Sequence, residues 1–221
     1  NLFSDIHTLR RSLRGIYAVC TATDSIVEIN PDNPSIILWD WLATEHGFTQ
    51  APNGQEIMID RTISYKDIEG DGTRSHTTHL NCVEEFDEDH LLATLFHQDA
   101  LIKINKKTGD YEYIMKGFIN PHGIHRTKAG FILSDTKGGR VVLFDSNLKA
   151  KEEIKGTFKW IQDSIEFKDH YVIADDNLAT IFIYNKSLEC VDKISWDHNM
   201  RKISVIHPLT GKEAKKIFLK K

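Results

Sequence analysis

One strand-and-turn segment recurs along this 221-residue chain at a fixed interval, and that interval limits the fold more than any other feature. Residues 101–110 (LIKINKKTGD) read as a strand closed by a polar turn. The pattern returns at 141–149 (VVLFDSNLK) and at 180–189 (TIFIYNKSLE), so that the turn residues Asn105, Asp145 and Asn185 stand 40 residues apart. An earlier copy lies at 25–32 (SIVEINPD) and a fainter one at 204–212 (SVIHPLTGK). Before each turn runs a second strand ending in a small or polar residue (17–21, 91–94, 131–135, 171–175), and after it a third of amphipathic character (35–41, 111–116, 152–155, 190–196). Short runs of Val, Ile, Phe and Tyr bounded by Asn, Asp and Gly form strands, because branched and aromatic side chains suit a pleated surface and the bounding residues suit turns. About four such strands in roughly 40 residues is the pattern of a β-propeller blade. A helical repeat of similar length requires a 3.6-residue periodicity, which is absent. The chain is therefore expected to be all-β, a single β-propeller domain over 1–221 built of four-stranded antiparallel blades. Asn30 and Asn105 are 75 residues apart, about 35 more than one period, and the excess falls at about 43–78. With Asn53-Gly54 and Gly70-Asp71-Gly72 inside it, that stretch reads as a loop insertion. Five blades are the favoured count, or six if the insertion itself folds as a blade.

Composition removes several classes. A chain with 40% hydrophobic and 27% charged residues suits one domain with a sizeable core and is not disordered. A formal charge of −4 lacks the basic excess of a nucleic-acid binder. There is no apolar window long enough to span a membrane and no visible signal peptide, so a soluble protein is expected, its compartment left open. Cys20, Cys82 and Cys190 form no CxxC and lie in or beside strand-like runs, which reads as buried free thiols.

The functional signal lies in the 11 histidines. The innermost strand of each propeller blade lines a central channel, and the segment leading into it places side chains at the channel mouth. Here those segments are 5–8, 76–81, 120–125 and 160–163. His79 and His122 are 43 residues apart and His122 and Gln162 are 40 apart, which suggests equivalent positions in successive blades. His7, His79 and His122 are thus expected to converge on one axis, with Gln162 or Asp163 in the corresponding place of the fourth blade. Two chemistries suit three such imidazoles: a divalent metal such as zinc, or acid–base or nucleophilic work by one histidine while the others hold an anionic group. His76, His97 and His125 are placed to support them. His90 and His170 follow Asp at turns, and His46, His198 and His207 carry no repeat logic. Asp175, Asp176 and Asn177 offer oxygens suited to calcium, though turn residues are the simpler reading. The acidic run 67–72 lacks EF-hand spacing and reads as a loop, and the lysine-rich residues 212–221 read as a solvated tail. Trp160, just before Gln162, can wall an aromatic pocket.

The order of these elements resembles the arylsulfotransferase family, the PAPS-independent aryl-sulfate sulfotransferases. The shared pattern runs from about Asp5 to Asp145: Asp5-Ile6-His7, the strands at 26–29 (IVEI) and 37–41 (ILWDW), His79-Leu80-Asn81, the run 97–109 (HQDALIKINKKTG), and His122. The resemblance implies a propeller enzyme in which His122 is transiently sulfated. His7, His79 and Asn81 would then bind sulfuryl oxygens and the developing phenolate. Where that family carries an arginine ahead of its His-Gln pair, this chain has Phe96, so a bidentate cation for sulfate is missing. Histidines leading into blades also hold zinc in other propeller enzymes, such as peptidylamidoglycolate lyases. The sequence therefore points to catalytic His122, His79 and His7 and to substrate contacts from Asn81, His97, Gln162, Asp163 and Trp160. If a metal is held, the same three histidines are its ligands. The expected substrate is a small molecule, aromatic or sulfated. A metal-dependent lyase or hydrolase and a non-catalytic binding module are the alternatives.

Overall fold

A computed structural model describes residues 2–66, 73–197, 203 and 205–208. The described residues form four antiparallel sheets of four strands, each in simple sequence order. Blade 1 contains β1 (Ile6–Arg11), β2 (Ile16–Cys20), β3 (Ser25–Ile29) and β4 (Ile37–Leu42). Blade 2 contains β5 (Leu80–Glu85), β6 (His90–Leu95), β7 (Ala100–Asn105) and β8 (Tyr111–Lys116). Blade 3 contains β9 (Pro121–Arg126), β10 (Gly130–Asp135), β11 (Arg140–Asp145) and β12 (Ala150–Lys155). Blade 4 contains β13 (Ile161–Phe167), β14 (His170–Asp175), β15 (Thr180–Tyr184) and β16 (Cys190–Ser195). Helical structure among the described residues is limited to three short 3-10 turns. No helix there is long and apolar enough to cross a membrane.

The 40-residue beat has a local cause. At the turn after the third strand of every blade, Asn30, Asn105, Asp145 and Asn185 accept backbone N–H bonds on Oδ1 from the residues that follow. A side chain that mimics a turn carbonyl fixes the hairpin. Between the blades lie separate apolar layers. Tyr17, Ile26 and Trp41 of blade 1 pack on Leu80, Leu91 and Ile102 of blade 2. Leu92 and Leu101 meet Phe131 and Val142 across the next junction. Ile132, Val141, Leu143 and Ile154 meet Ile173 and Phe182 across the third. Blades 2 and 3 are thus covered on both faces, which explains why their second and third strands read as continuous apolar runs rather than alternating ones. Side-chain hydroxyls and indoles stitch the layers: Thr8 Oγ1 donates to the Asn81 carbonyl (2.7 Å), and Trp41 Nε1 donates to that of Gly109 (2.9 Å).

The insertion caps the first blade. After one short turn at Ala43–His46 and an isolated bridge between Gln50 and Glu56, it lays Ile59 and Tyr65 beside Leu2 and Phe3 on the far face of blade 1. Arg61 pins it there by bidentate hydrogen bonds to Asp40 and to Glu45. The acidic run 67–72 lies outside the described residues, as do His198 and the lysine-rich tail from 209 onward. The fifth repeat copy at 204–212 is described only at 205–208. Just before it, Ile203 donates its backbone N–H to Asp176 Oδ1 (3.0 Å); within it, Ile206 donates to Asp163 Oδ2 (2.8 Å), so this segment runs beside β13. The far face of blade 4 carries Val172, Ile181, Ile183 and Ile194. These are the 40-residue counterparts of Ile132, Val141, Leu143 and Ile154, which are buried against blade 4. Among the thiols, Cys20 and Cys82 are buried and free as expected. Cys190 is exposed, because the outermost strand β16 has nothing packed on it among the described residues.

Candidate functional site at the channel mouth

Each inner strand breaks register once, just after it begins. The bulge falls at His7 in β1, at Asn81 and Cys82 in β5, at His122 and Gly123 in β9, and at Gln162 in β13. A bulge turns an extra residue out of the ladder and re-aims its side chain, and here the four bulges share the axis. The repeat therefore places His7, Asn81, His122 and Gln162 in equivalent positions. This corrects the expected equivalence of His79 with His122. His79 comes two residues before Asn81, at the place held by Asp5, Asn120 and Trp160 in the other blades. Asp5, His79 and Asn120 share a left-handed backbone there, with φ of 48°, 48° and 55°. That unusual conformation swings the His79 ring back onto the ring of bulge residues.

The three expected histidines do meet. The His7 ring centroid lies 5.7 Å from that of His79 and 6.0 Å from that of His122. His79 stacks on His76 (5.0 Å), their Nδ1 atoms 2.8 Å apart and sharing one proton. Phe96 stands against His79, His97 and His122 at 5.0, 5.2 and 5.2 Å, and Trp160 closes on His122 at 5.7 Å. These rings open onto a cavity of about 510 Å³ whose rim includes Asp5, Gln162, Asp176 and Asn177. Along the inner strands the cavity narrows to a channel of about 10 Å³ that is lined by Arg10, Asn81, Cys82, His125 and Asp163. Asn81 and Asp163 thus belong to the channel and not to the mouth. Asp163 accepts from His125 Nε2 (2.6 Å) deep inside it, while Arg10 reaches His125 Nε2 (3.4 Å) and Cys82 Sγ (3.5 Å). His97 lies behind Phe96 with Nε2 on the Thr73 carbonyl (2.8 Å), so it supports the wall and is not part of the cavity lining. Among the described residues no three His, Cys, Asp or Glu side chains gather as a metal-ligating group. His122 and His79 each have a nitrogen engaged elsewhere; His7 meets His79 edge to face and is tilted by 52° against His122.

The state of His122 follows from its neighbours. Thr136 donates its hydroxyl to the Ile161 carbonyl (2.6 Å), so its oxygen is left to accept from His122 Nδ1 (2.7 Å). The other neighbour of Nδ1 is the Asn120 carbonyl (3.2 Å), which can only accept. Nδ1 therefore carries the proton, and Nε2 keeps its lone pair. Burial, aided by the nearby His7, pushes His122 down to about 3. Burial and the surrounding histidines push His79 down to about 2. Burial also lowers His7 and His76. At neutral pH the cluster is uncharged.

Sequence reasoning missed Thr136 as part of this site, gave Asp5 no role beyond its place in the entry segment, and offered Asp176 only as a calcium oxygen. A repeat signal existed for the first: Thr21 and Thr136 both follow the second strand of their blade and donate to a carbonyl of the next inner strand.

No protein-family model matches the chain, and no curated protein matches it. Solved structures do. Virginiamycin B lyase from Staphylococcus aureus aligns at a TM-score of 0.57 with 12% identity, over 87% of this chain and 56% of that one. A streptogramin B lyase aligns at 0.57 with 10% identity, over 89% and 56%. A chain of a nidogen/laminin complex aligns at 0.57 with 10% identity, over 87% and 63%. The chain spans little more than half the length of the two lyases. Identities this low speak to the fold alone, and the structures it resembles are β-propellers.

Proposed function

We propose that the channel mouth is the active site of a propeller enzyme. In this reading Nε2 of His122 accepts a proton from a small aromatic substrate seated between Phe96 and Trp160. One observation carries the proposal: Thr136 and the Asn120 carbonyl fix the proton on Nδ1, leaving a buried lone pair at the edge of a substrate-sized cavity. A group held near 3 is always unprotonated in working conditions but is a weak base, so it suits a proton that the substrate already renders acidic. The imidazolium formed would be favoured by the Asn120 carbonyl and by the field of Asp163. The chemistry this supports is of the lyase or hydrolase type. That two of the structural neighbours are lyases agrees with it without deciding it.

Sulfuryl transfer, suggested by the resemblance to arylsulfotransferases, would use the same lone pair as nucleophile. The cavity speaks less for it: its described lining contains no lysine or arginine, and Phe96 packs where the family's cation stands. The test is a set of nitrophenolate-releasing probes: p-nitrophenyl sulfate with phenol, p-nitrophenyl acetate, and 4-(4-nitrophenoxy)-2-butanone for proton abstraction. The proposal expects release from the butanone or the acetate that disappears in His122→Ala, falls in Thr136→Val and returns in Thr136→Ser. Release from the sulfate alone would favour sulfuryl transfer. If wild type matches His122→Ala on all three, the site is a binding module.

A further inference from the structure

One position of the repeat bends the same way in every blade but carries a carboxyl group in only two. It is the residue just ahead of the third strand: Asp24, Asp99, Gly139 and Ala179. The pairs that close the hairpin fix this equivalence: Cys20 with Ser25, Leu95 with Ala100, Asp135 with Arg140, and Asp175 with Thr180. All four residues are left-handed, with φ of 45°, 51°, 63° and 47°. Gly139 and Ala179 hold this backbone without a carboxyl group, so the bend alone does not call for aspartate. The two aspartates reach instead across a blade boundary. Buried Asp24 accepts on Oδ2 from the backbone and hydroxyl of Thr77, and on Oδ1 from those of Thr78 (3.1 and 2.6 Å). These threonines are the middle of the 76–79 turn that brings His76 Nδ1 to His79 Nδ1. Asp99 Oδ1 accepts from the backbone N–H of Asn120 (2.8 Å). Asn120 presents its carbonyl to His122 Nδ1 and donates through Nδ2 to the Phe96 carbonyl (3.1 Å). The entry segment that follows Gly139, at 157–163, contains no histidine. Its Lys159 and Trp160 N–H groups are met by Asp175 of their own blade.

We propose that Asp24 and Asp99 are positioning residues: each reaches out of its own blade to fix the bend on which the next blade's channel histidine stands, Asp24 for His79 and Asp99 for His122. Their hydrogen bonds fall where the bend is strained. His79 and Asn120 are left-handed, a conformation that costs energy for any residue with a Cβ. The held N–H groups are those of Thr78, one residue before His79, and of Asn120 itself. Blade 3 has a second anchor, since Asp135 Oδ1 accepts from the Ile119 N–H (2.6 Å), so this segment stays tethered when Asp99 is removed. For its effect on turnover the inference rests on the reading of the cavity as an active site; for the geometry of the histidines it does not.

The test replaces Asp99 by glycine, which suits the left-handed backbone and removes only the carboxyl group, and by asparagine, which keeps both the backbone and an acceptor oxygen. Each is made alone and with Thr136→Val, where the Asn120 carbonyl is the remaining acceptor for His122 Nδ1. ¹⁵N NMR of the imidazole reads the tautomer ratio. In the Thr136→Val background, Asp99→Gly should lower the ratio of the Nδ1–H to the Nε2–H form by about threefold or more, the scale of one weakened hydrogen bond. Asp99→Asn should leave it near its starting value. A ratio indifferent to Asp99→Gly in a folded chain would overturn the assignment; Asp99→Ala, which copies Ala179, repeats the measurement if the glycine variant does not fold. Asp24 is read through nitrogen–nitrogen scalar coupling across the His76–His79 bond. The coupling is expected in wild type and lost in Asp24→Asn, whose single amide oxygen cannot serve both threonines; retained coupling would overturn the Asp24 half. Turnover separates this inference from the catalytic reading. On the nitrophenolate probe that wild type cleaves, Asp99→Gly should lower kcat about tenfold with little change in KM, and Asp99→Asn should restore it. If His122→Ala leaves turnover unchanged, the catalytic reading falls while the tautomer ratio still decides this one. If turnover depends on His122 and the ratio ignores Asp99, the reverse holds.

Discussion

Ile154 and Ile194 offer a controlled comparison that the protein itself supplies. They are the same residue at the same register of neighbouring blades, each in the outermost strand. Ile154 is 1% exposed in the layer between blades 3 and 4, while Ile194 is 54% exposed on the far face of blade 4. Truncating a buried isoleucine to alanine costs about 2–5 kcal/mol, because transfer free energy is lost and a cavity remains. Full burial of such a side chain is worth about 1.5–3 kcal/mol. With half its surface already in water and no enclosed cavity to leave, Ile194→Ala should cost about 1 kcal/mol or less. The two variants should therefore differ by about 2 kcal/mol. For a chain of this length that corresponds to a gap of about 4–8 °C in Tm, with Ile154→Ala the lower. Urea unfolding at low micromolar protein, followed by Trp fluorescence and circular dichroism, measures both. Equal costs would refute the reasoning, since they would mean that the far face of blade 4 is buried in solution. Repeating the measurement at tenfold higher concentration would show whether a second copy buries it.

Other expectations follow from the channel. In Gly123→Ala the new Cβ would lie 2.2 Å from Asp163 Oδ1, inside the His125–Asp163 pair, and should cost about 3–5 kcal/mol by breaking a buried charged contact; urea midpoints measure it. Thr136→Val leaves the Ile161 carbonyl and His122 Nδ1 without their hydroxyl partner and should cost about 1–3 kcal/mol. In the same variant, ¹⁵N NMR of the imidazole should show the Nδ1–H tautomer less exclusively populated, and Thr136→Ser should restore it. His122 is lowered in the folded state, so the unfolded chain binds the extra proton below its ordinary value near 6.5. Its contribution to stability is complete above that pH and is lost as pH falls from about 6.5 toward 3. Between pH 6 and 4, His122→Asn should flatten the stability–pH slope by about 1.4 kcal/mol per pH unit; an unchanged slope would place the histidine in water.

The blades were legible because two independent periodicities agreed. The Asx turns at Asn105, Asp145 and Asn185 set the 40-residue beat, and short apolar runs fell at fixed offsets from them. The channel histidines were legible for the same reason, but only to within two residues. A spacing of 43 between His79 and His122 is close enough to the repeat to suggest equivalence. The true partner of His122 is Asn81, 41 residues earlier, because the bulge rather than the start of the strand defines the position that faces the axis. Nothing in residue type announces a bulge, since it arises from how two strands settle their register. His79 reaches the cluster by another route, a left-handed backbone that histidine adopts rarely, which a reading based on spacing alone has no means to foresee. The carboxylates were hidden differently. Asp5 and Asp176 look like turn residues, and Asp176 does cap a backbone N–H. Their place together on the rim of one cavity exists only once blades 1 and 4 face each other across the axis. What the fold adds to the sequence is thus mostly electrostatic. It gathers histidines that sequence could number and strips their charge by burial.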